Sequence, residues 1–286
     1  MVHAEAREAR LRRSVEVDGA TIRYDVRGSG PQTLVLVHGY QAHHLWWHAI
    51  SDRLASRYRL ILLDLSGHGD SDHRDGYDAP VWPRDVIGVL DDVGGEPPVI
   101  VGHSMGGRVS LVAAARRRDL VRGVVLLDSA VRFAGDDARF DWRPDRAPRG
   151  FATRADAVAA FRLKPEQELE PALLGPVVDY SVREHGGGWT WKHDQRGLPG
   201  LAQHAFVDAL RAVEVPVRYV RATASPIAQG VEELLDEVHV PGGAEVHLAP
   251  GLHHHLVLED PDFCAGLIDR LATEMFADAG SAHVAS

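Results

Sequence analysis

The 286-residue sequence lacks the features that mark secreted and membrane-embedded proteins. It contains a single cysteine, Cys264, so no intrachain disulfide can form and the fold needs no oxidising compartment. No apolar run reaches the roughly 18 residues of a membrane span, and residues 1–13 lack the apolar stretch of a secretory signal. We therefore expect a cytoplasmic protein, with Cys264 as a small buried residue on a C-terminal helix.

The charge balance argues against two further classes of partner. The chain carries a formal net charge of −10, whereas nucleic acids and anionic membranes select a basic face. Two histidine clusters, His43-His44 and His253–His255, are not spaced with carboxylates on one helix face, so we expect no metal and no cofactor. A small-molecule partner remains, and the sequence leaves open whether the chain forms a homo-oligomer.

Short apolar runs predict a mostly parallel central sheet. Residues 14–27 alternate in polarity around Asp18-Gly19, a pattern typical of a β-hairpin. The other runs are rich in Val and Leu, as in strands covered by helices on both faces. They are Thr33–Val37, Leu60–Leu63, Pro98–Val101, Val124–Leu127, Val217–Val220 and Glu245–Leu248.

Helical segments alternate with these runs, which predicts an α/β fold with right-handed crossovers. The alternation stops after Asp128, where Pro, Gly and charged helical stretches predict a mainly helical cap over residues 131–212. The core then comprises residues 14–130 and 213–277. The ends, residues 1–13 and 278–286, are expected to be flexible.

The strongest chemical signal is Gly102-His103-Ser104-Met105-Gly106, which follows a predicted strand and precedes a predicted helix. A G-x-S-x-G sequence at such a turn is a nucleophile elbow, in which small residues allow a bend that lifts the serine hydroxyl above the strand ends. The same bend puts the Met105 N–H at a helix N-terminus, where it can face an oxyanion.

Two other strand ends carry candidate residues. Gly39 permits a bend after the first predicted parallel strand, and Tyr40 N–H is the expected second oxyanion donor, with Gln41 as the alternative. The loop from Asp64 to Ser71 follows the next strand. We interpret it as structural, held by Asp64 and His68.

These motifs resemble the α/β-hydrolase superfamily over residues 15–276. The resemblance implies a catalytic histidine after the last strand, and alignment on Glu259-Asp260-Pro261 assigns it to His254, with His253 as runner-up. The motifs that carry the resemblance are His38-Gly39, Asp64-Leu65-Ser66-Gly67-His68-Gly69-Asp70-Ser71, Gly102-His103-Ser104-Met105-Gly106-Gly107, Pro250-Gly251-Leu252-His253-His254 and Leu258-Glu259-Asp260-Pro261.

The catalytic acid departs from the commonest family pattern. Relatives usually carry an Asp after the strand that corresponds to Val217–Val220, and Pro226 stands there instead. Asp128, at the end of the preceding strand, is our candidate, as in certain haloalkane dehalogenases and zearalenone-type lactone hydrolases. The order Ser104, Asp128, His254 agrees with the order in this fold. A carboxylate further along, at Glu232 or Glu233, is the alternative.

The parts together predict a serine hydrolase that cleaves a carboxylic ester or lactone of a hydrophobic small molecule through an acyl-enzyme on Ser104. The alternatives are a carbon–carbon bond hydrolase or lyase on the same scaffold, and a non-catalytic ligand-binding member. The residues expected to line the substrate pocket are Gln41, His103, Trp46, Trp142, Trp189 and Trp191.

Overall fold

A computed structural model describes residues 11–77, 81–131, 145–196 and 203–282. Trp142 lies outside these ranges, as do residues 1–10 and 283–286 of the two ends that were predicted to be flexible. Within the described ranges, no helix combines the length and the apolar character required to cross a bilayer.

An eight-stranded sheet forms the centre of the fold, and its strand order is β1-β2-β4-β3-β5-β6-β9-β10. The first two strands form a hairpin and β2 pairs antiparallel with β4, whereas the remaining pairs are parallel. A separate antiparallel pair joins β7 to β8. The strands are β1 Arg13–Val17, β2 Ala20–Arg27, β3 Gln32–Val37, β4 Tyr58–Leu63, β5 Val99–His103, β6 Gly123–Leu127, β7 Val182–His185, β8 Gly188–Trp191, β9 Val217–Ala222 and β10 Ala244–Ala249.

Helices separate the parallel strands and cover the sheet, which confirms the predicted α/β-hydrolase fold class. Short 3-10 helices span His44–Trp47 and Arg118–Leu120. The α-helices are α1 His48–Leu54, α2 Val81–Val93, α3 Met105–Arg116, α4 Arg154–Ala159, α5 Pro171–Tyr180, α6 Gln203–Ala212, α7 Val231–Glu237, α8 Leu256–Glu259 and α9 Pro261–Ala282.

Two neighbouring interior strands of the sheet are buried along their whole length, since every residue of β5 and β6 is buried. Two apolar clusters cover the sheet, one on each face. One contains α3 and α6, through residues such as Val109 and Phe206, and the other contains α9, through residues such as Ile268. Cys264 lies in the second cluster, buried on α9 as expected. The strand ends are therefore held rigidly.

The segment between β6 and β9 contributes helices and the β7–β8 hairpin. It contacts the loops that follow β3 and β4: the Asp194 N–H donates to Gly67 O over 2.8 Å, and the Tyr180 hydroxyl donates to Asp64 Oδ2 over 3.3 Å. His43 Nε2 donates to Val177 O over 3.1 Å. Because these loops leave the carboxyl ends of parallel strands, the inserted segment lies over that edge of the sheet.

Candidate active site

Ser104 occupies a tight bend between β5 and α3. Its backbone has φ +54° and ψ −121°, and its N–H donates to Leu127 O over 2.9 Å. The bend depends on glycine: a β carbon on Gly102 would lie 2.4 Å from the Gly106 carbonyl carbon, and one on Gly106 would lie 2.3 Å from Val37 O. The chain passes too close to itself for any larger residue at either position.

Backbone strain is concentrated at this edge of the sheet. Four non-glycine residues of the described ranges have positive φ, namely Asp18, Gln41, Ser104 and Asp128. The last three follow β3, β5 and β6. Such conformations cost about 1–3 kcal/mol each and persist where the surrounding structure enforces them, typically at functional sites.

The structure brings Asp128 and His254 together although 126 residues separate them along the chain. The Nδ1 atom of His254 lies 2.8 Å from Asp128 Oδ2, and both side chains are buried. Because an ionised carboxylate can only accept, Nδ1 carries the proton and Nε2 keeps a lone pair. This is the tautomer that a general base needs.

Two further donors hold the Asp128 carboxylate. The Ala222 N–H donates to Oδ1 over 3.1 Å, and the Ser225 hydroxyl donates to Oδ2. Ser225 also accepts from the Ile227 N–H over 3.1 Å. Ser225 was not predicted as a site residue. Its position in the sequence could have indicated it, because Ser225 immediately precedes Pro226 and relatives usually carry the acid at the position of Pro226.

The other candidates for base and acid have different partners. The ring of His253 is half exposed, and its Nδ1 lies 2.8 Å from Glu259 Oε1. Glu232 accepts from Arg221 Nε over 2.7 Å and is also partly exposed. Neither His253 nor Glu232 is among the residues that line the cavity beside Ser104.

The loop after β3 lies against the elbow, as the oxyanion prediction requires. A β carbon on Gly39 would lie 3.2 Å from Ser104 Cβ, and Tyr40 and Gln41 line the same cavity as Ser104. Met105 is the first residue of α3, so its N–H has no acceptor within the helix. The two backbone segments predicted to hold an oxyanion therefore lie on either side of the hydroxyl.

A cavity of about 430 Å³ opens above Ser104 and His254. We call the lining residues between Gly39 and Trp46, together with His103, Ser104, His254 and His255, the core wall. The lining residues between Arg146 and Gln195 form the cap wall. A volume of this size suits a small organic ligand.

The predicted pocket residues divide between these walls and other places. Gln41, Trp46 and His103 belong to the core wall, and Trp191 belongs to the cap wall. Trp189 does not line the cavity: it lies two residues before Trp191 in β8, roughly 7 Å from it along the strand, and its backbone pairs with Phe151. Trp142 lies outside the described residues. Trp47, next to Trp46, is buried in the core.

The cap wall contains residues that were not predicted as pocket residues. Its aromatic and aliphatic members include Phe161 and Leu163. Its basic members come from two separate stretches and are Arg146, Arg149, Arg162 and Lys164. His193 is stacked on Trp191 with ring centroids 5.8 Å apart. Their convergence depends on how the inserted segment folds back, which no local pattern encodes.

The rings of His103, His254 and His255 cluster on the core wall. Burial lowers the pKa of His103, and burial together with the His254 charge lowers the pKa of His255 to about 4. Nε2 of His103 donates to His254 O over 2.8 Å, and Nε2 of His255 donates to Pro165 O over 3.0 Å. Both rings thus brace the backbone around His254.

Among the residues that the structure describes, the same three rings are the one group close enough together to be considered as metal ligands. One nitrogen from each lies within 4.8 Å of the others. Nitrogens on one tetrahedral zinc are closer, at roughly 3.4 Å, since each bond is about 2.0–2.1 Å. The rings would have to approach one another to bind zinc, and the expectation of no metal stays a prediction.

The loop that begins at Asp64 is connected to the loop after β3 through the Asp64 carboxylate. Burial alone would raise the pKa of Asp64, but the charge and hydrogen bond of His44 bring it below its usual range. Its carboxylate accepts from the His44 and Asp70 N–H groups over 2.7 and 2.9 Å. Asp64 thus ties the loops after β3 and β4 to each other.

The family to which the chain belongs follows from comparison with known proteins. A sequence model described as the alpha/beta hydrolase family matches residues 34–267, which is most of the chain. The chain belongs to the alpha/beta hydrolase family. As a member of this family it is a hydrolase-type enzyme.

Similar proteins in this family carry several activities. The 2-(acetamidomethylene)succinate hydrolase of Mesorhizobium japonicum is 26% identical over 88% of this chain and 91% of its own length. The pimeloyl-[acyl-carrier protein] methyl ester esterase of Chromobacterium violaceum is 28% identical over 86% and 96%. The thioesterase domain from the curacin biosynthetic pathway superposes with a TM-score of 0.76 at 21% identity, covering 90% and 98% of the two chains, which shows the shared fold.

Proposed function

We propose that this alpha/beta hydrolase is a serine hydrolase that cleaves a carboxylic ester or lactone of a small molecule with an apolar portion. The observation that carries the proposal is the 2.8 Å hydrogen bond between His254 Nδ1 and Asp128 Oδ2, together with the position of His254 and Ser104 in the lining of one cavity. A similar protein named as a methyl ester esterase is consistent with ester chemistry. Trp46, Phe161 and Leu163 supply apolar surface for the substrate.

The reaction proceeds in two displacements. His254 Nε2 takes the proton from Ser104 as the hydroxyl oxygen bonds to the substrate carbonyl carbon. The bond from that carbon to the leaving oxygen then breaks, and His254 returns the proton to the leaving oxygen. Water repeats the sequence on the acyl-enzyme and releases the acid. Asp128 stabilises the imidazolium that forms in each step.

Backbone donors stabilise the negative charge that develops on the carbonyl oxygen. The N–H groups of Met105 and Tyr40 are assigned this role, with Gln41 as the alternative on the β3 side. Each such donor contributes roughly 10²–10³ in rate in a preorganised site. The positive φ at Gln41 and Ser104 fits backbone that is fixed in advance of substrate binding.

A fluorophosphonate probe tests the proposal directly. We expect one covalent label on the peptide that contains Ser104, no label on Ser104→Ala, and turnover of 4-nitrophenyl butyrate or a δ-lactone by the unaltered protein alone. Absence of both label and turnover would leave a ligand-binding role. Turnover of a β-diketone without turnover of any ester or lactone would assign carbon–carbon bond hydrolysis instead.

A further inference from the structure

Four basic residues converge on the cavity from the cap wall. Arg146 and Arg149 precede the bridge of Phe151 to β8, and Arg162 and Lys164 follow α4. No aspartate or glutamate is among the described residues that line this cavity. The chain as a whole carries 41 acidic and 31 basic side chains, so its charge at the cavity is opposite to its net charge.

These cations are not neutralised by ion pairs within the ranges that the structure describes. Arg162 Nη1 donates to the carbonyls of Ala159 and Phe161, at 2.8 and 2.6 Å. The Arg149 guanidinium lies 4.8 Å from the centroid of the Phe151 ring. Neither contact removes the positive charge, so the charge stays available to a ligand.

Other cations of the inserted segment have carboxylate partners. Lys192 Nζ lies 2.6 Å from Asp70 Oδ1, and Arg196 Nη2 lies 2.6 Å from Asp194 Oδ2. Lys192 and Arg196 are thus paired with carboxylates, whereas the four cavity cations have no carboxylate partner among the residues that the structure describes. A site that retains unpaired cations favours an anion in their place.

The four cations line the cavity as exposed side chains on its cap side. Burial and the charge of His73 lower the pKa of His193 to about 4, and the cations Lys164 and Arg146 contribute to the same shift. His193 lines the same cavity, so both cations act on the space in which a ligand would lie. The field that disfavours protonated His193 favours a negative group.

We propose that the substrate carries an anionic group, a carboxylate or a phosphate, bound by Arg146, Arg149, Arg162 and Lys164 away from the reacting carbonyl. The proposal rests on the serine hydrolase function and specifies its substrate class. The apolar portion of the substrate lies between the reacting carbonyl and the anionic group, against Phe161 and the other apolar residues of the walls. The cap wall then selects by charge what the core wall hydrolyses.

Paired esters that differ in one charge test this proposal. We compare mono-(4-nitrophenyl) glutarate with its methyl ester at low ionic strength. We expect kcat/KM to be about tenfold higher for the anion, since exposed ion pairs are individually weak but several act together. The preference should disappear in Arg162→Gln/Lys164→Gln, mainly through KM, and should weaken with added salt. Arg211→Gln removes the same kind of charge from the exposed surface of α6 and should leave the preference intact.

A second pair separates the two sources of the anion. A glutaryl thioester of N-acetylcysteamine has only the carboxylate, and the corresponding coenzyme A thioester adds phosphates. A further preference for the coenzyme A form that is lost in Arg146→Gln/Arg149→Gln assigns these arginines to phosphate. Equal rates assign all four cations to the carboxylate.

Binding to Ser104→Ala keeps the proposal testable without turnover. Calorimetry on that variant should give tighter binding of the glutarate half-ester than of its methyl ester. Equal affinities, or a preference that survives Arg162→Gln/Lys164→Gln, would overturn the anion proposal. Failure of the serine hydrolase function would appear differently, as unlabelled Ser104 and no turnover of either ester.

Discussion

The core wall and the cap wall of the cavity are built in different ways. On the core wall, Gln41 and Ser104 have strained backbone at the ends of buried strands, and His254 is buried against Asp128. On the cap wall, Arg162 and Lys164 are exposed and extend from an inserted segment. The residues proposed to react are thus held in place by the sheet. The residues proposed to recognise the substrate are cap side chains, which can vary without displacing the reacting residues.

The largest expected effect on the core wall comes from removing the charge that orients the His254 base. Asp128→Asn should lower kcat by about 10⁴, because an amide in this place stabilises the wrong His254 tautomer. The circular dichroism spectrum and KM should change little, since the amide oxygen can still accept from the Ala222 N–H and the Ser225 hydroxyl can accept from the amide nitrogen. Kinetics on 4-nitrophenyl butyrate measure the effect.

Glu232→Gln serves as the matched control, since it alters a carboxylate whose partner is Arg221. It should retain kcat within about twofold, as ordinary for a surface change. If Glu232→Gln is the crippling substitution and Asp128→Asn is mild, the acid has been assigned to the wrong residue.

Acid should lower the stability of the fold through buried histidines on the core side of the cavity. Burial lowers the pKa of His38, after β3, and of His255 to about 4. The unfolded chain binds protons at these residues below pH 6.5 and the folded chain does so only near pH 4. The free energy of unfolding should therefore fall between pH 6.5 and 4, by up to about 1.4 kcal/mol per pH unit for each group.

Urea denaturation across pH 4.5 to 7.5 measures this slope. His38 Nε2 accepts from the Leu65 N–H, which a glutamine oxygen can also do, so His38→Gln should reduce the slope by about one proton. A stability that is flat over this range would contradict the expectation.

The hydroxyl of Ser225 offers a smaller perturbation of the core wall. Ser225→Ala removes one donor to the buried Asp128 carboxylate and should lower kcat about tenfold with little change in KM, the scale of a hydrogen bond to a charged group. Ser225→Thr keeps the hydroxyl and should restore most of the rate. Equal losses in both variants, or a loss mainly in KM, would assign Ser225 a packing role only.

The two walls also differ in how well the sequence predicts them. The elbow is local: a buried strand, Gly102, Ser104 and Gly106 lie within a few residues, so spacing alone predicts the bend. The pairing of Asp128 with His254 was predicted from the resemblance to the family. Pro226 occupies the position at which relatives usually carry the acid, so the acid was sought at the end of the preceding strand. Parallel strands bring distant loops to one edge, which makes such long-range pairing predictable.

No comparable rule applies to the cap wall. Helix α5 contains Gly175 and Pro176, residues that ordinarily argue against a helix interior, and only packing on the core reveals it. The β7–β8 hairpin is short, and its Gly186-Gly187 turn also fits a plain loop. The basic residues come from two stretches that meet through tertiary contacts, so their shared position has no sequence signature.

The smallest expected effect distinguishes two adjacent histidines. His253 is paired with Glu259 on the exposed side of the loop, so His253→Ala should change kcat less than threefold. His254→Ala, one residue later, should reduce kcat by several orders of magnitude, because it removes the base. Kinetics of both variants on one ester, with thermal unfolding to verify folding, complete the comparison. Should His253→Ala be the inactive variant, the base would lie outside the cavity and the 2.8 Å contact of His254 with Asp128 would be structural.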